Sequence, residues 1–261
     1  MSDSPPLVDI HCHLLPEVDD GSASWAESLD MARLAVADGI SIVVATPHQL
    51  GRYGVNRGEA IRARTSQLQE FLDQRHVPLQ VLPGADVRIE PDLGRKIQSG
   101  EVLTLADRGQ HVLLELPHEV YLPLDRILSE LRSIGVVGIL SHPERNRGIL
   151  RQRDVLAPLV RAGCLMQVTA GSLVGTFGPH VQKLAHWLVM QRLVHFVSTD
   201  AHGAKSRRPL LSRAFEVLVG LAGERTATDL CCRNPGLVAE GKAIKPSGGS
   251  GLSGWFRKRA G

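Results

Sequence analysis

A chain of 261 residues that is 43% hydrophobic can bury one large core, and a single α/β barrel commonly runs to about 250 residues. The net charge of +3 resides in the tail, where Arg257, Lys258 and Arg259 follow Pro246 with no acid; the remainder balances, 30 Lys and Arg less these three against 27 Asp and Glu, and a neutral body argues against a broad nucleic-acid surface. Four cysteines (Cys12, Cys164 and the adjacent Cys231 and Cys232) form no C-x-x-C pair, which excludes a disulfide scaffold and predicts a reduced, cytoplasmic protein.

Met1 to Leu7 is polar and proline-bearing, so no signal peptide is expected. No apolar run approaches the ~18 residues of a membrane span. Leu7 to His11 reads as a strand running into Asp9-Ile10-His11-Cys12-His13. Side chains two apart on a strand share a face, so His11 and His13 can reach one ion while Cys12 turns away into packing. Asp19-Asp20-Gly21 alone suits a tight turn; behind H-x-H, at a strand-to-helix junction, the segment becomes a third ligand candidate. Ser24-Trp25-Ala26-Glu27 is a capping box, serine and glutamate reciprocally satisfying free amides. The helix runs to about Asp38, where Gly39 stops it by accepting the left-handed conformation.

Ile40 to Ala45 is the next strand, followed by Thr46-Pro47-His48. Leu79 to Pro83 leads into Gly84-Ala85-Asp86, and Val112 to Glu115 ends on a carboxylate. Pro123 fits the first turn of a helix bearing Ile127, Leu128, Leu131 and Ile134. Val136 to Leu140 precedes Ser141-His142-Pro143-Glu144-Arg145. Leu165 to Val168 carries no ligand, and His195 to Ser198 precedes Thr199-Asp200-Ala201-His202. Residues 1–243 are expected to form the barrel domain. Residues 244–261 are expected to be a flexible Gly/Ser-rich linker and a basic, aromatic tail.

Seven strands alternating with helices predict a parallel sheet. Six of the seven carry a candidate ligand at the C-terminal end, where barrel enzymes keep their chemistry. An open doubly wound sheet would concentrate ligands at one switch point, so the spread predicts a closed or nearly closed barrel. Taken singly, His48 is a loop histidine and Asp86 and Glu115 are caps or loop charges. Taken jointly, these groups predict a multi-metal site. Arg145 and Arg207 bind no metal and would repel a cationic cluster unless an anion lay between, and a phosphate supplies one. Arg208 reads as a surface charge. His111, His118, His180, His186 and His195 fall outside the strand-end motifs; His118 and His180 are secondary candidates for substrate contact. No cysteine has an arginine six residues on, and there is no G-x-S-x-G elbow or Walker A loop. Metal-activated water is left as the nucleophile.

These motifs resemble the PHP (polymerase and histidinol phosphatase) superfamily, and within it the bacterial capsule and exopolysaccharide tyrosine phosphatases of the CpsB/CapC group. The likeness runs from about Val8 to Glu240. It rests on Asp9-Ile10-His11-Cys12-His13, Val18-Asp19-Asp20-Gly21, Thr46-Pro47-His48, Gly84-Ala85-Asp86, Glu115, His142-Pro143-Glu144-Arg145 and Ser198-Thr199-Asp200-Ala201-His202. The resemblance implies a distorted (β/α)7 barrel with three divalent ions, manganese first, iron or zinc as alternatives. By that resemblance His11, His13, Asp86 and Asp200 hold one ion. Asp86 and Glu115 link it to a second, with His142 there or close by, and Asp20, His48 and His202 complete the cluster. Arg145 and Arg207 match the phosphate-facing arginines. The family usually has glutamate where this chain has Asp86, one methylene shorter.

The resemblance further implies hydrolysis of phosphotyrosine on an autophosphorylated, membrane-associated kinase that controls polysaccharide export. Two other functions are weighed against it: a small-molecule phosphatase of the histidinol-phosphate type, and a non-catalytic metal-binding scaffold. In the tail, Trp255 and Phe256 beside Arg257, Lys258 and Arg259 imply weak contact with an anionic membrane surface.

Overall fold

The computed structural model describes residues 5–244. The described residues form nine strands: β1 (Leu7–Cys12), β2 (Ile40–Ala45), β3 (His48–Gln49), β4 (Gln80–Pro83), β5 (Asp86–Arg88), β6 (His111–Glu115), β7 (Val137–Ser141), β8 (Leu165–Thr169) and β9 (Phe196–Ser198). Every strand pairing is parallel. The seven strands expected from sequence are all present, each end within one residue of its expected place.

The two additional strands, β3 and β5, are two and three residues long. That is too short for a periodic signal, and both carry a candidate ligand. Proline explains them. The ladder from β2 to β4 stops where Ala45 faces Pro83, because proline has no N–H to extend it. The chain steps across Pro47 and Gly84 and resumes pairing in a second sheet, His48 against Asp86.

The strands therefore form two sheets, a three-stranded one ordered β1-β2-β4 and a six-stranded one ordered β3-β5-β6-β7-β8-β9. They do not make one continuous ladder. A single parallel bridge, Cys12 to Ala201, joins the first strand to the end of the second sheet. Across that seam Asp200 N–H donates to His11 O at 2.7 Å and His13 N–H to Ala201 O at 2.8 Å.

One apolar cluster draws on both sheets: Val8, Ile10 and Val44 from the first, Leu113, Ile139 and Phe196 from the second. Leu105, Ala106, Val238 and Ala239 complete it. A larger cluster lies between the strands and the helices, and it takes in Cys12, Cys164, Cys231 and Cys232. All four thiols are buried and free, and burial pushes that of Cys164 up to about 12.

Two local expectations change. Ser24 caps the helix Trp25–Ala37 by accepting from Glu27 N–H at 3.2 Å, but Glu27 returns its bond to Ala23 N–H rather than to Ser24. Pro123 lies outside the helix Asp125–Ser133, whose cap position is Leu124. Gly39, Gly135 and Gly163 end their helices with φ of 93°, 76° and 94°, as the junctions predict. No described helix is long and apolar enough to cross a membrane. The 245–261 portion of the expected linker and tail, with Trp255 and Phe256, lies outside the described residues.

Candidate metal centre

β1 ends at the middle of the site. His11 and His13 are fully buried, and their Nε2 atoms face each other at 3.3 Å. The other nitrogen of each ring is taken. His13 Nδ1 lies 2.6 Å from Asp19 Oδ2, and His11 Nδ1 lies 3.0 Å from Gln167 Oε1. The backbone N–H of His142 also donates to Gln167 Oε1, at 3.3 Å, which identifies that atom as oxygen. Both Nδ1 atoms therefore donate, and in the neutral rings both Nε2 lone pairs point at one place. A cation or a proton must lie between them.

Asp86, at the start of β5, is fully buried, and neither of its oxygens has a hydrogen-bond partner. Its Oδ2 lies 3.5 Å from His11 Nε2, 3.5 Å from His48 Nδ1 and 4.0 Å from His142 Nε2. An unpartnered buried carboxylate is costly. Ligand atoms about 2.1 Å from a shared ion stand roughly 3–3.5 Å apart, close to the shorter of these separations. The orphaned carboxylate and the opposed lone pairs fit divalent ions, and a set of imidazole nitrogens and carboxylate oxygens suits manganese, iron or zinc.

Four overlapping groups each bring one ligand atom per residue within 4.8 Å of the others: His13, Asp20, His48 and His202; His11, His142 and Asp200; His11, His13 and Asp86; His48, Asp86 and Glu115. All nine candidate ligands fall within them. Asp86 reaches both the His11–His13 side and the His48–Glu115 side despite its short side chain. His142 groups with His11 and Asp200.

The loops that carry these residues are tightly determined. Gly21 packs so closely that an added Cβ would lie 2.4 Å from His13 O, so only glycine lets the Glu17–Ser22 turn fold back onto β1. His142 and Asp200 adopt left-handed backbone, φ 32° and 51°. Such strain in non-glycine residues persists where surroundings over-determine it; here the Gln167 side chain and the His11 carbonyl hold the two backbones.

Charges are crowded. Burial would lower His13, but Asp19 and Asp200 raise it to about 10. Burial would raise Asp86 and Asp200, but the surrounding imidazoles hold both well below the usual carboxylate range, with Arg207 contributing at Asp200. Glu115 goes the other way, to about 8, through burial and the neighbouring Asp86 charge. Two carboxylates that resist ionising together are relieved by a cation between them.

Arg145 and Arg207 meet at Asp200. Arg207 Nη2 donates to Asp200 Oδ2 at 2.5 Å, and Arg145 Nη1 donates to the same oxygen. Asp200 Oδ1 turns the opposite way, 3.3 Å from His11 Nε2 and 3.5 Å from His13 Nε2. One carboxylate thus joins the imidazole cluster to the guanidinium pair. Arg145 also stacks on Phe177, 4.3 Å from the ring centroid. Arg208 is exposed, as are His118 and His180, and none of the three belongs to the four groups.

The chain as a whole is similar to known proteins. Residues 7–240 match the family model described as capsular polysaccharide synthesis, CpsB/CapC. The chain belongs to this family. It is 37% identical over 214 residues to the tyrosine-protein phosphatase YwqE of Bacillus subtilis, covering 81% of this chain and 84% of that one. It is 26% identical over 235 residues to the tyrosine-protein phosphatase CpsB of Streptococcus pneumoniae, covering 88% and 96%. Among solved structures, one reported with YwqE and CpsB as unique metal-dependent tyrosine phosphatases superposes with a TM-score of 0.86 at 34% identity, covering 92% of this chain and 96% of that one. The lactonase Lmo2620 of Listeria monocytogenes, at a TM-score of 0.54 and 13% identity, shares the fold alone.

Sequence reasoning missed the residues that aim the ligands. The family resemblance selects Asp20 rather than Asp19, yet Asp19 fixes the His13 ring and also accepts from His48 N–H at 2.9 Å. Gln167 lies on β8, the strand that carries no ligand. Asp9 accepts from Thr199 and from His11 N–H, tying β1 to the Asp200 loop. Only Asp9 and Asp19 lay inside a visible motif. Gln167 had no local signal.

Proposed function

We propose that this chain is a metal-dependent protein-tyrosine phosphatase. The observation that carries the reading is the pair of facing His11 and His13 nitrogens beside the orphaned Asp86 carboxylate, with two guanidiniums at the edge of the same cluster. The family and the YwqE and CpsB relatives support the substrate class. Three divalent ions, manganese first, would be held by His11, His13, Asp20, His48, Asp86, Glu115, His142, Asp200 and His202. Their chemistry is to polarise the phosphoryl group and activate the attacking water.

The protein's own residues do the rest. Asp19 and Gln167 keep a lone pair of His13 and His11 directed inward. Arg145 and Arg207 donate to the non-bridging phosphoryl oxygens, where charge develops in the transition state. Both already crowd one oxygen of Asp200, so donors remain for an incoming phosphate. The phenolate of tyrosine, with a pKa of about 10, leaves without a strong general acid.

We read the two sheets as a split form of the (β/α)7 barrel; the shared apolar cluster and the Cys12–Ala201 bridge support it. The substrate is a phosphotyrosine protein, an autophosphorylated membrane-associated kinase of capsule or exopolysaccharide synthesis, met in the cytoplasm. Residues 1–243 carry this activity, and the tail adds weak contact with an anionic membrane surface. Metal analysis of the purified protein, with hydrolysis of a phosphotyrosine peptide measured with and without chelator, tests the central reading. Bound metal without hydrolysis would favour a scaffold, and preference for histidinol phosphate would favour the small-molecule alternative.

A further inference from the structure

The candidate cluster and its two arginines recognise a phosphoryl group but not what the phosphate is attached to. A tyrosine ester differs from a serine ester by an aryl ring, and an aromatic side chain at the mouth is the natural reader of that ring. Among the described residues, two aromatic side chains contact candidate site residues. Phe177 is already engaged: Arg145 covers its ring, and it is wedged so closely against Gly171 that a Cβ there would lie 2.9 Å from it.

Tyr53 is different. Its ring stacks on His48, centroids 5.3 Å apart and planes 15° from parallel, and it stays partly exposed. The loop that presents it is built to a shape. Leu50 and Gly51 are both left-handed, φ 69° and 55°. Gly51 N–H donates to Glu90 Oε1 at 2.8 Å, and Tyr53 N–H to Leu50 O at 2.9 Å. Asn56 Nδ2 closes the loop onto Val18 O and His48 O, at 3.1 and 2.9 Å. Arg52 lies 4.8 Å from the Tyr53 centroid, donates to its hydroxyl at 3.0 Å and reaches Asp20 Oδ2 at 3.3 Å. The Arg52 side chain is 73% exposed, and such a solvated ion pair yields readily to a ligand. Val55, 83% exposed, adds an apolar edge to the same loop.

We propose that Tyr53 is a specificity-determining residue that holds the phenyl ring of an aryl phosphate, with Arg52 and Val55 at its margin. The assignment rests on the phosphatase reading above. His48 anchors the stack at the cluster, so a ring attached to a phosphate held there, and directed to the His48 side, meets Tyr53 next.

Calorimetric titration of the metal-loaded full chain with phenylphosphonate and with methylphosphonate tests it without turnover. Wild-type protein should bind the phenyl ligand more tightly. Tyr53→Ala should weaken the phenyl ligand about tenfold, leaving methylphosphonate affinity and metal content unchanged, and Tyr53→Phe should restore the preference. Equal affinities in the wild type, an unchanged preference in Tyr53→Ala, or a Tyr53→Phe that behaves as the alanine form would each overturn the assignment. So would an equal loss for both ligands or a loss of metal, since Tyr53 would then only support His48. Wild-type protein that binds neither phosphonate would overturn the phosphatase reading itself, and this assignment with it.

Discussion

Two strands have a titratable side chain at or beside each end, and the two ends differ in what surrounds it. β6 begins with His111 and ends with Glu115; β9 follows His195 and leads into Asp200. At the beginnings, burial pushes both histidines down to about 4. No carboxylate approaches either within ion-pair distance among the described residues. On the same rim as Glu115 and Asp200, just past β1, His13 is fully buried and yet rises to about 10, because Asp19 and Asp200 stand beside it, whereas burial prevails at His48, His142 and His202 and lowers them. Burial alone therefore marks nothing. Buried histidines ringed by carboxylates, one of them, Asp86, without a hydrogen bond, mark a place for a cation, and a buried histidine with no carboxylate near it is part of the core.

The sharpest way to break this contrast is to remove the ions. Chelation should abolish phosphopeptide hydrolysis completely, while alkylation of accessible thiols should leave it intact, since Cys12, Cys164, Cys231 and Cys232 are all buried. Inactivation by a thiol reagent with metal still bound would mean that a cysteine carries the chemistry. Next in size are the arginines. Arg145→Ala and Arg207→Ala should each lower kcat by about 10²-fold or more with metal content retained. Wild-type turnover would return these residues to ordinary surface charges, despite their shared hold on Asp200.

The residues that aim the ligands should matter less than the ligands themselves. Asp19→Asn should weaken metal binding roughly 10–100-fold by loosening the His13 ring, read by competition with a fluorescent chelator. Unchanged affinity would make Asp19 a turn residue only. Asp86→Glu is expected to cost about tenfold in turnover, because a packed site tolerates an added methylene badly. Asp86 is fully buried and already reaches imidazoles on both sides. Equal metal content and equal turnover in both forms would mean that residue 86 does not bridge.

How legible was this contrast in the sequence? The strands were, because each is an apolar run closed by glycine, proline or a polar motif, and each end fell within one residue. That most of the candidate ligands would gather was legible for the same reason: a motif after a strand is a motif at the rim; Asp20, eight residues past the end of β1, came from the family resemblance. Gln167 was not, because it sits mid-strand with no flanking polar residue and acts through a contact 156 residues away. Nor was the split into two sheets. It depends on where Pro47 and Pro83 interrupt pairing, and the strands beyond them are too short to show a period.

The smallest effect tests the opposite end. His111 is 2% exposed and its Nδ1 has no hydrogen-bond partner. Its folded pKa of about 4 lies below the usual 6.5, so between these values the unfolded chain binds the extra proton. Its contribution is fully present above pH 6.5 and is lost as pH falls toward 4, by about 3 kcal/mol at most. In metal-free protein the rim is mixed: the raised His13 adds stability below pH 6.5 that is lost as pH rises toward 10, whereas burial lowers His48, His142 and His202, in the same sense as His111. His111→Phe removes one titrating group from the base and leaves the rim untouched. Urea unfolding of the metal-free protein at pH 5 and pH 7 should show a smaller acid loss in the variant than in the wild type. His195, which accepts from Met166 N–H at 3.1 Å, should account for part of what remains. An identical acid loss in both proteins would mean that His111 reaches water or a partner in solution, and the apolar base would then be no drier than the rim.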